Sequence, residues 1–413
     1  MSRSRSLTAS DVTALRERSQ RRLTGDQERV LALSHSLHAE PELAYQEHRS
    51  AKKIADLAED AGFRVERGVC DLPTAFTATV GSGDLVIGLC AEYDALPEIG
   101  HACGHNVNGA ASVAAALALA EVADEIGVTV KLLGTPAEES GGGKIDMLRG
   151  GAFDDVAAAM MVHASSADAA DLVTLAIGDW RVSYVGRAAH AAAMPHQGIN
   201  AADAMMIAQV AIGAYRQQMI PGGVVSGVVT SGGEASNVIP DRATAKYACR
   251  AANFEDLREL QERIRACFEA GALATGATLD IEAVGNDYAE LCQDAEMIDL
   301  YREAVESLDR RLLPRDPSVR GASTDMGNIS QVMPVVHPMI GYDVGEAAIH
   351  SPEFTSYGTT PQADRAVLDG GLAMAWTAIG LAVDEVHRNR LLDLLARRGV
   401  LSIAMAERYS SDS

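Results

Sequence analysis

Leu85-Val-Ile-Gly-Leu-Cys-Ala91 is an unbroken apolar run, and Glu92-Tyr93-Asp94 follows it directly. Ten residues later comes His101-Ala102-Cys103-Gly104-His105-Asn106, two imidazoles and a thiol within five positions. A run with no polar alternation, ended by a polar turn, reads as a strand buried on both faces of a parallel sheet. The runs at 75–80, 128–134 and 157–163 are also strand-like. Helical patterns flank or separate them at 25–40, 47–62 and 110–123, the last almost all Ala, Leu and Val. The reading predicts an α/β fold, a largely parallel sheet with helices on both faces. In such sheets ligands bind beyond the carboxyl ends of the strands.

The pattern changes after His163, with 165–171 small and polar like a linker. Strands at 179–186, 224–231, 243–250 and 278–284 then alternate with helices at 200–215 and 254–274. Strand-helix-strand-strand-helix-strand is a ferredoxin-like α+β unit. It is predicted as an insertion at 173–287, with 1–172 and 288–413 forming the other domain. The later part includes a strand at 335–340, a helix at 361–383 and a charged helical tail from Asp384 to about Arg408.

Two domains suit a chain of 413 residues. The formal net charge of -22 disfavours nucleic acid and anionic membranes as partners. Six scattered cysteines form no disulfide framework. The polar N-terminus lacks the apolar core of a secretory signal, and no apolar run reaches the roughly 18 residues of a membrane helix. A cytoplasmic protein is the expectation.

Each chemistry-bearing residue falls at a predicted strand end or in a polar loop. Cys103 and His105 follow the first run, Glu138-Glu139 follows 128–134, His163 ends 157–163, and His350 sits in Ala348-Ile-His-Ser-Pro352. Thiolate, imidazole and carboxylate are ligands for zinc-like metals. Cys103, His105, one of the two glutamates, His163 and His350 would satisfy a two-metal cluster. The other glutamate is then free to take a proton from the attacking water.

These motifs resemble those of the M20 metallopeptidases, the aminoacylase and carboxypeptidase superfamily. The resemblance is greatest to the amidohydrolase branch that holds auxin-conjugate hydrolases, aminobenzoyl-glutamate hydrolase and dipeptidase-like members. It runs from about His38 to Asp384 and rests on His38-Ala-Glu-Pro-Glu-Leu43, 91–106, Pro136-Ala-Glu-Glu139, His163, Gly186-Arg-Ala-Ala-His-Ala191, 232–240 and His350-Ser-Pro352. It implies a catalytic domain with an inserted lid that dimerises. It implies that Cys103, His105, Glu139, His163 and His350 ligate two divalent ions, zinc first, with manganese, cobalt or nickel open. It makes Glu138 the general base, and makes His190 an oxyanion-stabilising residue acting in the partner subunit's site. Asn237 and Arg250 match substrate-binding residues of the lid. Arg250 suits a substrate carboxylate, the rival being a salt bridge to Asp241 or Glu255. The implied substrate is a dipeptide or N-acyl amino acid.

The chain departs from common patterns at two points. Asn106 stands where many relatives carry Asp, and Glu92-Tyr93-Asp94 stands where the wider superfamily has His-x-Asp. Asp94 keeps a role in orienting a ligand, and Glu92 is a candidate extra ligand. The loop 323–328 and His337-Pro338 are expected to shape the substrate pocket. Two rival readings remain at this point: a thiol amidase with Cys103 as nucleophile and Asn106 as orienter, and a catalytically silent binding protein.

Overall fold

The computed structural model describes residues 8–314 and 322–398. Within them the chain divides into two compact units, one of 8–173, 291–314 and 324–398, the other of 174–290 with 322–323.

The first unit opens with α1 (Ala9–Ala39), α2 (His48–Asp60), β1 (Arg64–Arg67), β2 (Phe76–Val80) and β3 (Leu85–Ala91). It continues through α3 (His105–Ala120), β4 (Val128–Gly134), α4 (Gly143–Arg149), β5 (Ala158–Met160) and β6 (His163–Ser165). The second unit is β7 (Ala176–Val185), α5 (Ala201–Tyr215), β8 (Val224–Ser231), β9 (Arg242–Ala251), α6 (Phe254–Thr275) and β10 (Thr278–Ala283). The chain then returns with α7 (Ala295–Glu306), α8 (Met326–Ser330), β11 (Val335–Val336), β12 (Met339–Gly341), α9 (Pro352–Ser356), α10 (Pro361–Val383) and α11 (Glu385–Arg398). The tail expected to run helical to about Arg408 lies, beyond Arg398, outside the described residues.

The main sheet has the order β1-β2-β4-β3-β5-β11. Its β4-β3-β5-β11 part is parallel, while β2 runs antiparallel to β4 and to β1. The sheet is therefore mixed but mostly parallel. The run expected as one strand over 157–163 is two short strands: β5 pairs with β11, and β6 pairs with β12 in a separate two-stranded sheet. The backbone changes sheets where His163 begins.

Helix α3 is buried all round, in keeping with its mostly Ala, Leu and Val composition after Asn108. It packs against α1 and α10. Helix α10 corrects one expectation: it is long and apolar enough to cross a membrane, although no such run was expected. Asp364, Arg365 and Asp369 in its first turns mask the apolar stretch that follows. Most of that stretch is buried against the other core helices.

The second unit is one antiparallel sheet of order β10-β7-β9-β8 carrying α5 and α6. This is the ferredoxin-like arrangement. Asn200 and Asn253 cap its two helices through side-chain oxygens that accept from backbone N–H groups.

Candidate metal centre

Each parallel strand delivers a polar group just past its carboxyl end. Glu92 and Asp94 follow β3, Glu138 and Glu139 follow β4, His163 follows β5, and His337 follows β11. Two tight turns bring the remaining donors in. Gly104 lies between Cys103 and His105 with φ of +71°, and a Cβ there would stand 2.3 Å from the Ala164 Cβ. Only glycine allows that turn, which starts α3 at His105. The loop after β4 is wound as tightly, since a Cβ on Gly143 would lie 2.1 Å from the Pro136 carbonyl oxygen. Ala137 takes a φ of +59°, and its N–H donates to Glu47 Oε1 at 2.9 Å.

The structure gathers Cys103, His105, Glu138, Glu139, His163 and His350. Ligand atoms of three trios, Cys103-His105-His163, Cys103-Glu139-His350 and His105-Glu138-Glu139, each lie within 4.8 Å of one another. Cys103 belongs to two of them. The Cys103 Sγ is 3.5 Å from His163 Nε2, and His350 Nε2 is 3.6 Å from Glu139 Oε2. His350 is the outermost member, about half exposed, with a φ of +64° and its N–H on the Ala102 carbonyl.

Several donors are pre-aimed. His163 Nδ1 faces the Ala164 carbonyl at 2.8 Å, which leaves Nε2 toward the cluster. His105 Nδ1 lies 2.9 Å from both Asp94 Oδ1 and the Asp94 carbonyl. The other Asp94 oxygen accepts from Glu139 N, also at 2.9 Å. Asp94 thus orients two of the clustered groups at once. Asp94→Asn turns one acceptor into a donor facing an N–H, and we expect metal affinity about 10- to 100-fold weaker. Competition against a chromogenic chelator measures this, and unchanged affinity would sink the role.

The electrostatics call for added positive charge. Burial, reinforced by Glu92, Glu139 and Asp325, pushes Glu138 well above the usual carboxylate range. Burial also raises Glu139, with Asp94 adding to it against His105 and His350. Burial and Glu139 push the Cys103 thiol well up. Burial alone would lower His105, yet Asp94 and Glu92 outweigh it and raise its pKa well above the usual value. His105 Nε2 and Glu139 Oε1 are buried with no hydrogen-bond partner among the described residues. An orphaned imidazole nitrogen and an orphaned carboxylate oxygen beside a thiol, in excess negative charge, are what a divalent metal fits. The same burial leaves Cys103 protonated without a metal, which weakens its reading as a free thiolate nucleophile.

Not every predicted site residue joins the cluster. Asn106 faces the core: its Nδ2 donates to Ser34 Oγ at 3.0 Å and to the Gly358 carbonyl at 2.8 Å. An Asp there would set a carboxylate against that carbonyl, so Asn106 has a structural reason and does not orient a nucleophile. His101 is buried, its Nε2 on the Leu37 carbonyl and its ring stacked on His38. Burial drops its pKa to about 3, so it is neutral. His190, Asn237 and Arg250 lie in the second unit. His190 and Val238 form an antiparallel bridge, and Ala191 N donates to the Asn237 carbonyl, so His190 and Asn237 stand side by side. Arg250 Nη1 donates to Ser323 Oγ at 3.1 Å.

The structure adds Lys144 and Asn108, which the motifs passed over, and gives contacts to Asp325 and His337, which were expected only to shape the substrate pocket. Lys144 is completely buried, its Nζ bonded to Glu92 and, at 2.7 Å, to Asp325 Oδ1. Asn108 Nδ2 donates to Glu92 Oε2, while Asn108 Oδ1 accepts from Ala164 N. His337 is buried with its ring centroid 5.7 Å from that of His163, and neither ring nitrogen has a partner among the described residues. A Lys directly after Gly141-Gly142-Gly143 was the one available sequence signal for Lys144.

Comparison with known proteins identifies the family. The sequence profile of peptidase family M20/M25/M40 matches residues 88–359. The Xaa-Arg dipeptidase of Mus musculus is 37% identical over 403 residues, covering 94% of this chain and 92% of that protein. A subunit of the p-aminobenzoyl-glutamate hydrolase of Escherichia coli is 28% identical, covering 88% of this chain and 91% of that one. A Bacillus subtilis structure described as a dinuclear metal binding peptidase of the M20 family has the same fold. It superposes with a TM-score of 0.67 at 21% identity, covering 87% of this chain and 99% of that one. Neither a thiol amidase nor a silent binding protein is favoured by this kinship. The chain belongs to peptidase family M20/M25/M40, in its amidohydrolase branch, and is a metal-dependent hydrolase of amide C–N bonds.

Proposed function

We propose that the chain cleaves a dipeptide or an N-acyl amino acid with a free carboxylate, using two divalent ions, zinc in the first place. The observation that carries this is the trio pair sharing Cys103, with Glu138 alongside. Cys103, His105, Glu139, His163 and His350 would hold the ions. When bound, the ions supply Lewis acidity toward the water and the scissile carbonyl. Glu138 takes the proton of the attacking water and passes it to the leaving amine. Its burial keeps bulk water from competing for that proton. Arg250 and Asn237 hold the substrate carboxylate, and His190 of the partner subunit stabilises the oxyanion.

A homodimer through the second unit is part of this reading. Strand β8 is an edge strand, and Val228 and Val229 on it are 58% and 39% exposed. On α5 of the same unit, Met206 and Val210 are also exposed. An apolar edge left open invites pairing with a second copy. The names of the relatives, an Xaa-Arg dipeptidase and an aminobenzoyl-glutamate hydrolase, support a small amino-acid conjugate as substrate. A reducing, cytoplasmic setting suits the six free cysteines.

The test is a hydrolysis screen over dipeptides, with basic and acidic C-terminal residues, and N-acyl amino acids, run with zinc, manganese, cobalt and nickel. Exhaustive chelation is expected to abolish turnover and re-addition of metal to restore it. Thiol alkylation should inactivate the stripped chain much faster than the loaded one. Turnover that survives chelation but not alkylation overturns the metal reading.

A further inference from the structure

Glu92 stands where a metal ligand could stand. Its Oε2 lies 3.6 Å from His105 Nε2, the ring nitrogen left free by Asp94. Oxygens of Glu92, Glu138 and Asp325 lie within 4.8 Å of one another, close enough to surround one cation, and all three residues are buried. Three carboxylates are an all-oxygen set of the kind that draws hard divalent ions.

The cation among them belongs to the protein. Lys144 Nζ bonds Glu92 Oε1 and Asp325 Oδ1, and Lys144 N donates to Asp325 Oδ2 at 2.9 Å. The second Glu92 oxygen accepts from Asn108 Nδ2 at 3.3 Å. Every oxygen of Glu92 and Asp325 is therefore engaged, and the side chains of Glu92, Lys144 and Asp325 are wholly buried. Contrast Glu139, whose Oε1 is orphaned beside Cys103 and His105. The carboxylates fall into two sets, one taken by an ammonium and one left for metal, and Glu138 is within reach of both.

We propose that Lys144 is a resident cation that fills the Glu92-Asp325 pocket, withholds Glu92 from coordination and so limits the centre to two ions. Lys144 is thereby a positioning residue. It is the second residue of α4, so the tie to Asp325 also closes the base of the loop that carries Glu138 and Glu139. An ammonium suits the task because it neutralises one charge through directed N–H bonds and leaves no open coordination position for water.

The inference rests on the two-metal reading above, and one experiment separates their failures. The full-length protein is stripped with chelator and reloaded with zinc or manganese, and metal per chain is counted after desalting. Wild type should hold two ions. Glu92→Gln, which keeps the shape and an acceptor for Lys144, should also hold two with unchanged affinity. Lys144→Met should gain a manganese ion, and adding Glu92→Gln to it should abolish that gain. A Glu92→Gln chain that loses an ion, or binds about tenfold more weakly, makes Glu92 a ligand and overturns the proposal. A folded Lys144→Met chain with wild-type stoichiometry and affinity overturns it too. Should Lys144→Met fail to fold, Glu92→Gln still decides. Fewer than two ions on wild type would instead count against the two-metal reading.

Discussion

Glu138→Gln is expected to lower kcat by about 10³- to 10⁴-fold while the chain keeps its metal and its stability. The magnitude is that of a group moving a proton in both halves of a reaction, at the upper end for general acid–base catalysis. Stability should not fall, for an electrostatic reason. Burial and the carboxylates of Glu92, Glu139 and Asp325 hold the Glu138 pKa far above its unfolded value. A carboxyl whose folded pKa is raised is destabilising when ionised, so the neutral amide relieves repulsion in the stripped chain. The pH profile follows with a definite sign. A base works only when deprotonated, so wild-type kcat/KM should decline toward acid pH, and the residual rate of the Gln variant should lose that limb. Stopped-assay kinetics across pH, with metal counts and thermal melts of stripped and loaded protein, check all three. A Gln variant within tenfold of wild type removes Glu138 from the chemistry.

How much of this could be read beforehand varies with the physics of each element. Strands β3 and β4 match their predicted runs to the residue, because burial on both faces selects for mostly apolar side chains; β8 matches too, through its β-branched residues, although it is almost wholly exposed. Helix α1 begins at Ala9, not near Gly25, since its first half buries Leu15, Ser19 and Leu23 beneath a surface of Arg and Glu. That stripe is too polar to stand out. Strand β1, Arg64-Val-Glu-Arg67, carries three charges and is an edge strand held by β2 alone. The clustered Cys, His and Glu side chains were legible because metal chemistry restricts residue type, and most of them follow strand ends. Lys144 was not. A lysine after three glycines reads as an exposed helix start, and its burial depends on Glu92 and Asp325, 52 and 181 residues away. Asn106 misled for the converse reason: its motif neighbours face the cluster while its own amide faces Ser34 and Gly358.

The second large effect belongs to His190, and mixing variants tests it. Ala192 N and Ala193 N donate to His190 Nδ1 at 3.2 and 3.1 Å. An Nδ1 that accepts two N–H bonds cannot carry the proton, so the neutral ring is protonated at Nε2. The local turn therefore prepares an exposed imidazole as a hydrogen-bond donor, which an oxyanion requires. His190→Ala is expected to reduce kcat about 10²- to 10³-fold, the cost of one such donor. If that donor serves the partner subunit, the defect can be complemented. A dimer of one Glu138→Ala chain and one His190→Ala chain has one site lacking both groups and one site lacking neither. Equal mixing by denaturation and refolding, or by co-expression, makes about half the dimers of this mixed kind, so about a quarter of wild-type activity should return. Each variant refolded alone should regain none. A mixture no more active than the sum of its parts would place His190 in its own chain's site, or outside the chemistry altogether. The kcat of His190→Ala distinguishes those two cases, because a histidine outside the chemistry can be lost without slowing turnover.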